Sequence, residues 1–163
     1  RNRSAMIGKK SKAVEEFWQR CWREHGITTN EYHACTFADP KYATYHDELL
    51  DLVGAGKKRA TAHMALDFEK NNVKRRQVGD YWVVVTTSGN DPRYLVRVTD
   101  VTVTPFNEVK LSFAAREGEG DETLKYWQDV HREYFELQCK DWGIPFPDNA
   151  PTVCEGFELI ETA

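Results

Sequence analysis

The chain has 163 residues, 40% of them hydrophobic and 12% aromatic, the size and composition of a single domain with a full core. Its 22 Lys and Arg against 26 Asp and Glu give a formal charge of -4, which argues against a generic polyanion binder. No apolar run approaches the roughly 20 residues needed to cross a bilayer, and Arg1 to Lys12 lacks the apolar stretch of a secretory signal.

Residues 1–10 read as a basic, loosely ordered lead-in. An amphipathic helix follows, with Ser11 as N-cap, Gly26 as stop, and Val14, Phe17, Trp18, Cys21 and Trp22 at helical spacing. Tyr32 to Phe37 fits a strand or an irregular entry into the core. Asp39 and Pro40 read as an N-cap and first-turn pair opening a helix that includes DELLDLV, Asp47 to Val53. The left-handed position that ends this helix suits Gly56. The GKKRATA stretch then brings three cations, Lys57, Lys58 and Arg59, to the helix's carbonyl end, where simple capping is one reading. The other is that an extended exit aims Lys58 and Thr61 into one cleft.

His63 to Lys70 fits a short helix or a strand equally well. Lys74, Arg75 and Arg76 read as a loop, and from Lys57 to Arg76 seven Lys and Arg face only Asp67 and Glu69, a local +5 inside an acidic protein. Tyr81 to Thr87 and Tyr94 to Val103, rich in β-branched and aromatic residues and joined by a short polar turn, predict an antiparallel hairpin. After Pro105 the pattern returns to helix. The REGEGDETL loop follows, with Asp121 as the expected cap of a helix that runs to about Trp142 and carries Leu124, Trp127, His131 and Phe135 on one face. Thr152 to Ile160 closes the chain as a strand. One α+β domain results, a small mixed, mostly antiparallel barrel or curled sheet flanked by helices. The separated cysteines, Cys21, Cys35, Cys139 and Cys154, are expected as buried thiols of a reducing cytoplasm.

Phosphate-binding glycine loops, HExxH and paired CxxC are all missing from the sequence. A zinc deaminase would need HxE followed by PCxxC, and neither is present. His33 and Cys35 alternate as strand residues do and bring no further ligands, so no metal and no cofactor is expected. What remains is lysine, threonine and acid. A lysine whose pKa is lowered by burial or by neighbouring cations can serve as base or oxyanion donor, a threonine can attack a carbonyl, and a carboxyl group can carry the proton. Glu117, at a helix end before Gly118, is the candidate carboxyl. The Lys58 ammonium and Thr61 hydroxyl are then expected about 2.6–3.2 Å or one water apart, and Glu117→Gln is expected to cut turnover with little effect on melting.

DELLDLVGAGKKRATA, VGDYWVVV, PFNEV, FAAREGEGDETLKYWQDVHREYF and VCEGFELI together resemble the bacterial ASCH-domain proteins of the PUA-like superfamily. The likeness runs from about Phe17 to Ile160 and treats 1–163 as a single ASCH domain. It implies a small β-barrel with a cleft near the GKK segment and work on RNA or nucleosides. Some members are described as ribonucleases, and a shorter relative removes the acetyl group of N4-acetylcytidine with a Lys, a Thr and a Glu, which fall here on Lys58, Thr61 and Glu117. Many members read GKKTAT, where this chain has Arg59 in place of the first threonine.

Three functions stay open on the sequence. The first is a metal-independent hydrolase of RNA or a modified nucleoside, and the second is a non-catalytic RNA-binding domain. That domain would use Lys57, Arg59, Lys74, Arg75 and Arg76 for phosphates and Tyr81 or Trp82 for base stacking. The third is a protein-interaction module that keeps the cleft as a remnant. No membrane contact and no obligate protein partner is expected.

Overall fold

The computed structural model describes residues 7–163. The element order is α1 (Lys12–Glu24), β1 (His33–Cys35), α2 (His46–Gly54), β2 (Ala60–Met64), α3 (Ala65–Lys70), β3 (Tyr81–Val85), β4 (Pro92–Pro105), a 3-10 turn (Phe106–Glu108), α4 (Leu111–Glu117), α5 (Leu124–Trp142) and β5 (Pro151–Thr162). The strands form one curled half-barrel in the order β1-β3-β4-β5-β2, with β1 parallel to β3 and every other pairing antiparallel. The expected hairpin is present, Tyr81 lying opposite Arg97 and Val84 opposite Tyr94.

β3 shows why YWVVV is apolar at every position. Side chains alternate across a strand, so Trp82 and Val84 enter the core inside the curl with Phe37, Leu50, Phe106, Phe135 and Phe157. Val83 and Val85 pack outward against Val14, Phe17, Trp18 and Cys21 of α1. A strand covered on both faces has no polar side to show. Helix α1 is capped as the sequence suggests, with the Val14 N–H donating to Ser11 Oγ at 3.2 Å. Part of the lead-in falls outside the described residues. From Ile7 the chain is tied down without regular structure, the Thr36 N–H donating to the Ile7 carbonyl at 2.7 Å and the Lys9 N–H to that of Gly89 at 3.1 Å.

Local order differs from expectation at two places and resolves a third that the sequence left open. Asp39 and Pro40 open a turn rather than a helix: Asp39 Oδ1 accepts from the Lys41 N–H at 2.9 Å, and α2 begins only at His46. The cap of α5 is Thr123, whose hydroxyl accepts from the Tyr126 N–H at 3.1 Å, while Asp121 braces Thr123. His63 to Lys70 resolves into both alternatives, since β2 ends at Met64 and α3 starts at Ala65. Among the described residues no helix is long and apolar enough to cross a membrane. All four cysteines are free and buried.

Candidate active site

The chain leaves α2 through Gly56 at φ 82, and the Lys57 and Lys58 N–H groups both return to the Leu52 carbonyl. That tight exit divides the three cations. Arg59 is the cap, its Nη1 donating to the Val53 carbonyl at 2.9 Å and to the Lys58 carbonyl at 2.8 Å. Lys57 stays in solvent, and Lys58 turns inward to 1% exposure. Arg59 is thus a helix-end clasp.

Glu117 is the last residue of α4, and Gly118, at φ 66, bends the chain back beneath Lys57. Helix α5 supplies the opposite wall. Trp127, His131 and Phe135 recur at i, i+4 and i+8 on its buried face, the Trp127 and His131 rings stacked with centroids 4.2 Å apart. Lys58 Nζ meets Glu117 Oε1 at 2.8 Å, Glu119 Oε2 at 2.7 Å and the Ala60 carbonyl at 2.8 Å. Glu117 Oε2 accepts from Trp127 Nε1 at 2.7 Å and lies 3.2 Å from His131 Nε2. Thr61, Phe37, Tyr45 and Tyr134 complete the wall of a small cleft with about 30 Å³ of free space, enough for about two waters.

Hydrogen-bond accounting fixes the protons. His131 Nδ1 sits 2.8 Å from the Trp127 carbonyl, which only accepts, and Nε2 faces a carboxylate that also only accepts. Both ring nitrogens therefore donate, and the ring is an imidazolium. Burial presses the His131 pKa down, but Glu117 outweighs it and the net shift is upward. Lys58 follows the same balance: burial lowers its pKa, the two carboxylates more than restore it, and it rises. This reverses the lowered pKa expected from sequence, because the neighbours that count are carboxylates and not Lys57 or Arg59. For Glu117, burial alone would raise the pKa, yet Lys58 and His131 hold it well below the usual carboxylate range. Glu119 is pushed upward by burial, despite Lys58 and helped by Glu117.

Lys58, Thr61 and Glu117 thus line one cavity. Of the two expected arrangements, the direct Lys58–Thr61 hydrogen bond is not formed, since an ammonium has three protons and all three are taken. Thr61 keeps a hydroxyl with no hydrogen-bond partner among the described residues. Glu117→Gln can no longer be silent in stability either, because its amide NH₂ would face the donors of Trp127 or Lys58. Glu119 and His131 are the members the sequence did not single out. His131 left a faint signal, a titratable ring inside an apolar helical stripe, whereas Glu119 looks like its exposed neighbours Asp121 and Glu122. Glu117, Glu119 and His131 lie close enough to chelate a cation, but the Lys58 ammonium already occupies that position between the carboxylates.

The remaining candidates lie elsewhere. Lys74 and Arg75 are exposed. Arg76 is not available to phosphate: it is 1% exposed and bonded to Glu155. Trp82 is fully buried, with Nε1 donating to the Cys35 carbonyl at 3.0 Å, so it cannot stack a base. Tyr81 is half-buried with its ring 5.7 Å from Trp18.

Gly118 gives the site its sharpest steric limit. A Cβ there would lie 2.2 Å from the Lys57 carbonyl oxygen, in a backbone conformation that side chains rarely adopt. Gly118→Ala is expected to lower the urea midpoint and displace both Glu117 and Glu119, costing more than the ~1 kcal/mol of an ordinary exposed left-handed glycine. An unchanged midpoint would show that the turn has room to shift.

A mixed half-barrel flanked by helices, with its cleft between the β2 edge and α4–α5, is the PUA-like fold. The chain belongs to the ASCH domain family, whose model matches residues 33–161. It is similar to the crystal structure of an ASCH domain from Lactobacillus crispatus, at 30% identity over 91% of each chain with a TM-score of 0.77. A crystal structure of a protein from Enterococcus faecalis is similar at 27% identity, covering 93% of this chain and 90% of that one, with a TM-score of 0.81. No curated protein matches the chain.

Proposed function

We propose that this chain is a single ASCH domain that hydrolyses an acylated nucleoside of the N4-acylcytidine type, working in the cytoplasm without metal or cofactor. The observation that carries the reading is the Thr61 hydroxyl, without a hydrogen-bond partner among the described residues, in a small cleft lined also by a buried ammonium and two carboxyl groups. Because the Thr61 hydroxyl makes no hydrogen bond to another described residue, a substrate that engages it breaks no bond within the protein. Thr61 serves as nucleophile. Lys58, held as a cation, is an oxyanion donor rather than a base, and Glu117 fixes its direction. A long RNA strand does not reach a lysine that is 1% exposed, whereas a small acyl group needs only a local opening.

The RNA-binding reading keeps exposed Lys57, Lys74 and Arg75 and partly exposed Arg59. Its own observation is a groove of about 460 Å³ lined by Lys10, Lys74, Tyr32 and His33, with Glu31 and Asp80 beside them. Salt separates the two readings, since phosphate contacts weaken steeply with ionic strength.

The deciding experiment assays N4-acetylcytidine and short single-stranded RNA with the wild-type protein and Thr61→Val. Valine keeps the shape and removes an unbonded hydroxyl, so melting should hold while turnover falls by about 10³-fold or more. Undiminished turnover in that variant would remove Thr61 as nucleophile. Absence of hydrolysis together with salt-sensitive RNA binding would move the protein to the second reading.

A further inference from the structure

The two carboxyl groups at Lys58 are held differently. Glu117 ends a helix, is 1% exposed, and has both oxygens engaged by three donors on two separate segments: Lys58 on Oε1, Trp127 and His131 of α5 on Oε2. Glu119 lies in the turn between Gly118 and Gly120, which have φ values of 66 and 58. It holds Lys58 through Oε2 alone, and its side chain is 10% exposed at the cavity rim.

We propose that Glu119 is the acid–base residue of the hydrolysis, and that Glu117 and His131 are positioning residues that hold Lys58 in place. The inference rests on the hydrolase reading above. Glu117 cannot accept a proton without turning an O–H toward one of three N–H donors, two of them on cations. Glu119 is hydrogen-bonded to one cation, can swing on flanking glycines, and gives up a single hydrogen bond when it moves.

The step balances as follows. The substrate carbonyl oxygen replaces Glu119 on Lys58, and Thr61 Oγ forms a bond to the carbonyl carbon as its proton passes to the Glu119 carboxylate. Glu119 then returns that proton to the leaving nitrogen as the C–N bond breaks, which leaves an ester on Thr61 and a free amine. Water attacks the ester, giving one proton to Glu119, which hands it to Thr61 Oγ as the acid departs. No electrons are exchanged with a cofactor.

Glu119 must start ionised, so the rate should fall as pH drops through its pKa. That pKa lies above the ordinary range because of burial, with Glu117 adding to the shift and Lys58 and His131 opposing it. Tyr45 and Tyr126 also face Glu119, but burial raises both phenols, and they stay neutral across the working range.

The test is the pH profile of kcat/KM for N4-acetylcytidine in wild type, Glu119→Gln, Glu119→Asp and Glu117→Gln, with carboxyl ¹³C NMR of glutamate-labelled, substrate-free protein. Glu119→Gln should lose about 10²-fold or more in rate and the acidic limb with it, with Glu119→Asp recovering part of both. Burial shifts two glutamates upward, Glu119 and Glu155; one of the two upshifted signals should vanish in Glu119→Gln and the other in Glu155→Gln. Glu117→Gln should melt earlier and turn over more slowly, yet keep a limb. A wild-type limb in Glu119→Gln, or its disappearance in Glu117→Gln alone, would overturn the assignment while leaving the hydrolase intact. A wild-type protein with no turnover would instead sink the hydrolase reading, and the catalytic role with it.

Discussion

Lys58→Met is expected to abolish hydrolysis and to lower stability at once, the largest functional effect of any single substitution in the chain. Methionine fills a similar volume but removes all three donors of the ammonium. Glu117 keeps Trp127 and His131, while Glu119 and the Ala60 carbonyl lose their lysine bonds. Breaking a buried ion pair from one side costs about 3–5 kcal/mol. The lower end is expected here, because Glu119, already raised in pKa, can take up a proton. Lys58→Arg should not rescue activity, since a planar fork cannot reproduce three diverging bonds in so little free space. Urea melts and turnover of N4-acetylcytidine check both halves. A methionine variant that melts and turns over like the wild type would show that the ammonium serves neither fold nor chemistry.

What the sequence showed of this site depended on how local each determinant was. The hairpin, the long α5 and the helix that stops near Gly56 follow from periodicity and turn chemistry, which act over a few residues. Burial is a long-range property and was hidden. Nothing near Lys58 distinguishes it from Lys57, yet one is enclosed and the other in water, because the exit from α2 turns only one of them under α4 and α5. Glu119 was hidden for the same reason: a turn rich in Gly and acid reads as solvated until Lys58 and Tyr45 are known to pack against it. The lysine's shift went the wrong way because its sequence neighbours are cations and its neighbours in space are carboxylates.

Arg76 was misplaced by the same reasoning, and it carries the largest expected effect on stability. In the sequence it is the third cation of a basic run. In the fold it lies under the sheet with Nε and Nη2 on Glu155 Oε1, at 3.1 and 2.8 Å, its Nη1 on Cys35 Sγ at 3.3 Å, and its guanidinium 3.9 Å from the Trp82 ring centroid. Glu155 sits opposite Thr61 in the β2–β5 pairing, so the pair also supports the strand that carries Thr61. Removing the arginine leaves a buried carboxyl whose Oε2 already lacks a partner. Burial raises the Glu155 pKa and Arg76 opposes that rise, so without the arginine the carboxyl should titrate higher still. Arg76→Ala is therefore expected to cost about 3–5 kcal/mol, and the Arg76→Met, Glu155→Leu double variant to recover much of it by exchanging the pair for apolar contacts. Lys74→Ala with Arg75→Ala should stay within about 0.5 kcal/mol of wild type, as exposed substitutions usually do. Urea melts of the three proteins, run beside RNA binding at several salt concentrations, separate support from recognition. If Lys74 and Arg75 touch phosphate, their double variant flattens the salt slope without loss of fold. If Arg76→Ala melts like the wild type and weakens RNA binding instead, the buried pair is not what holds this side of the sheet, and the basic run acts as a surface.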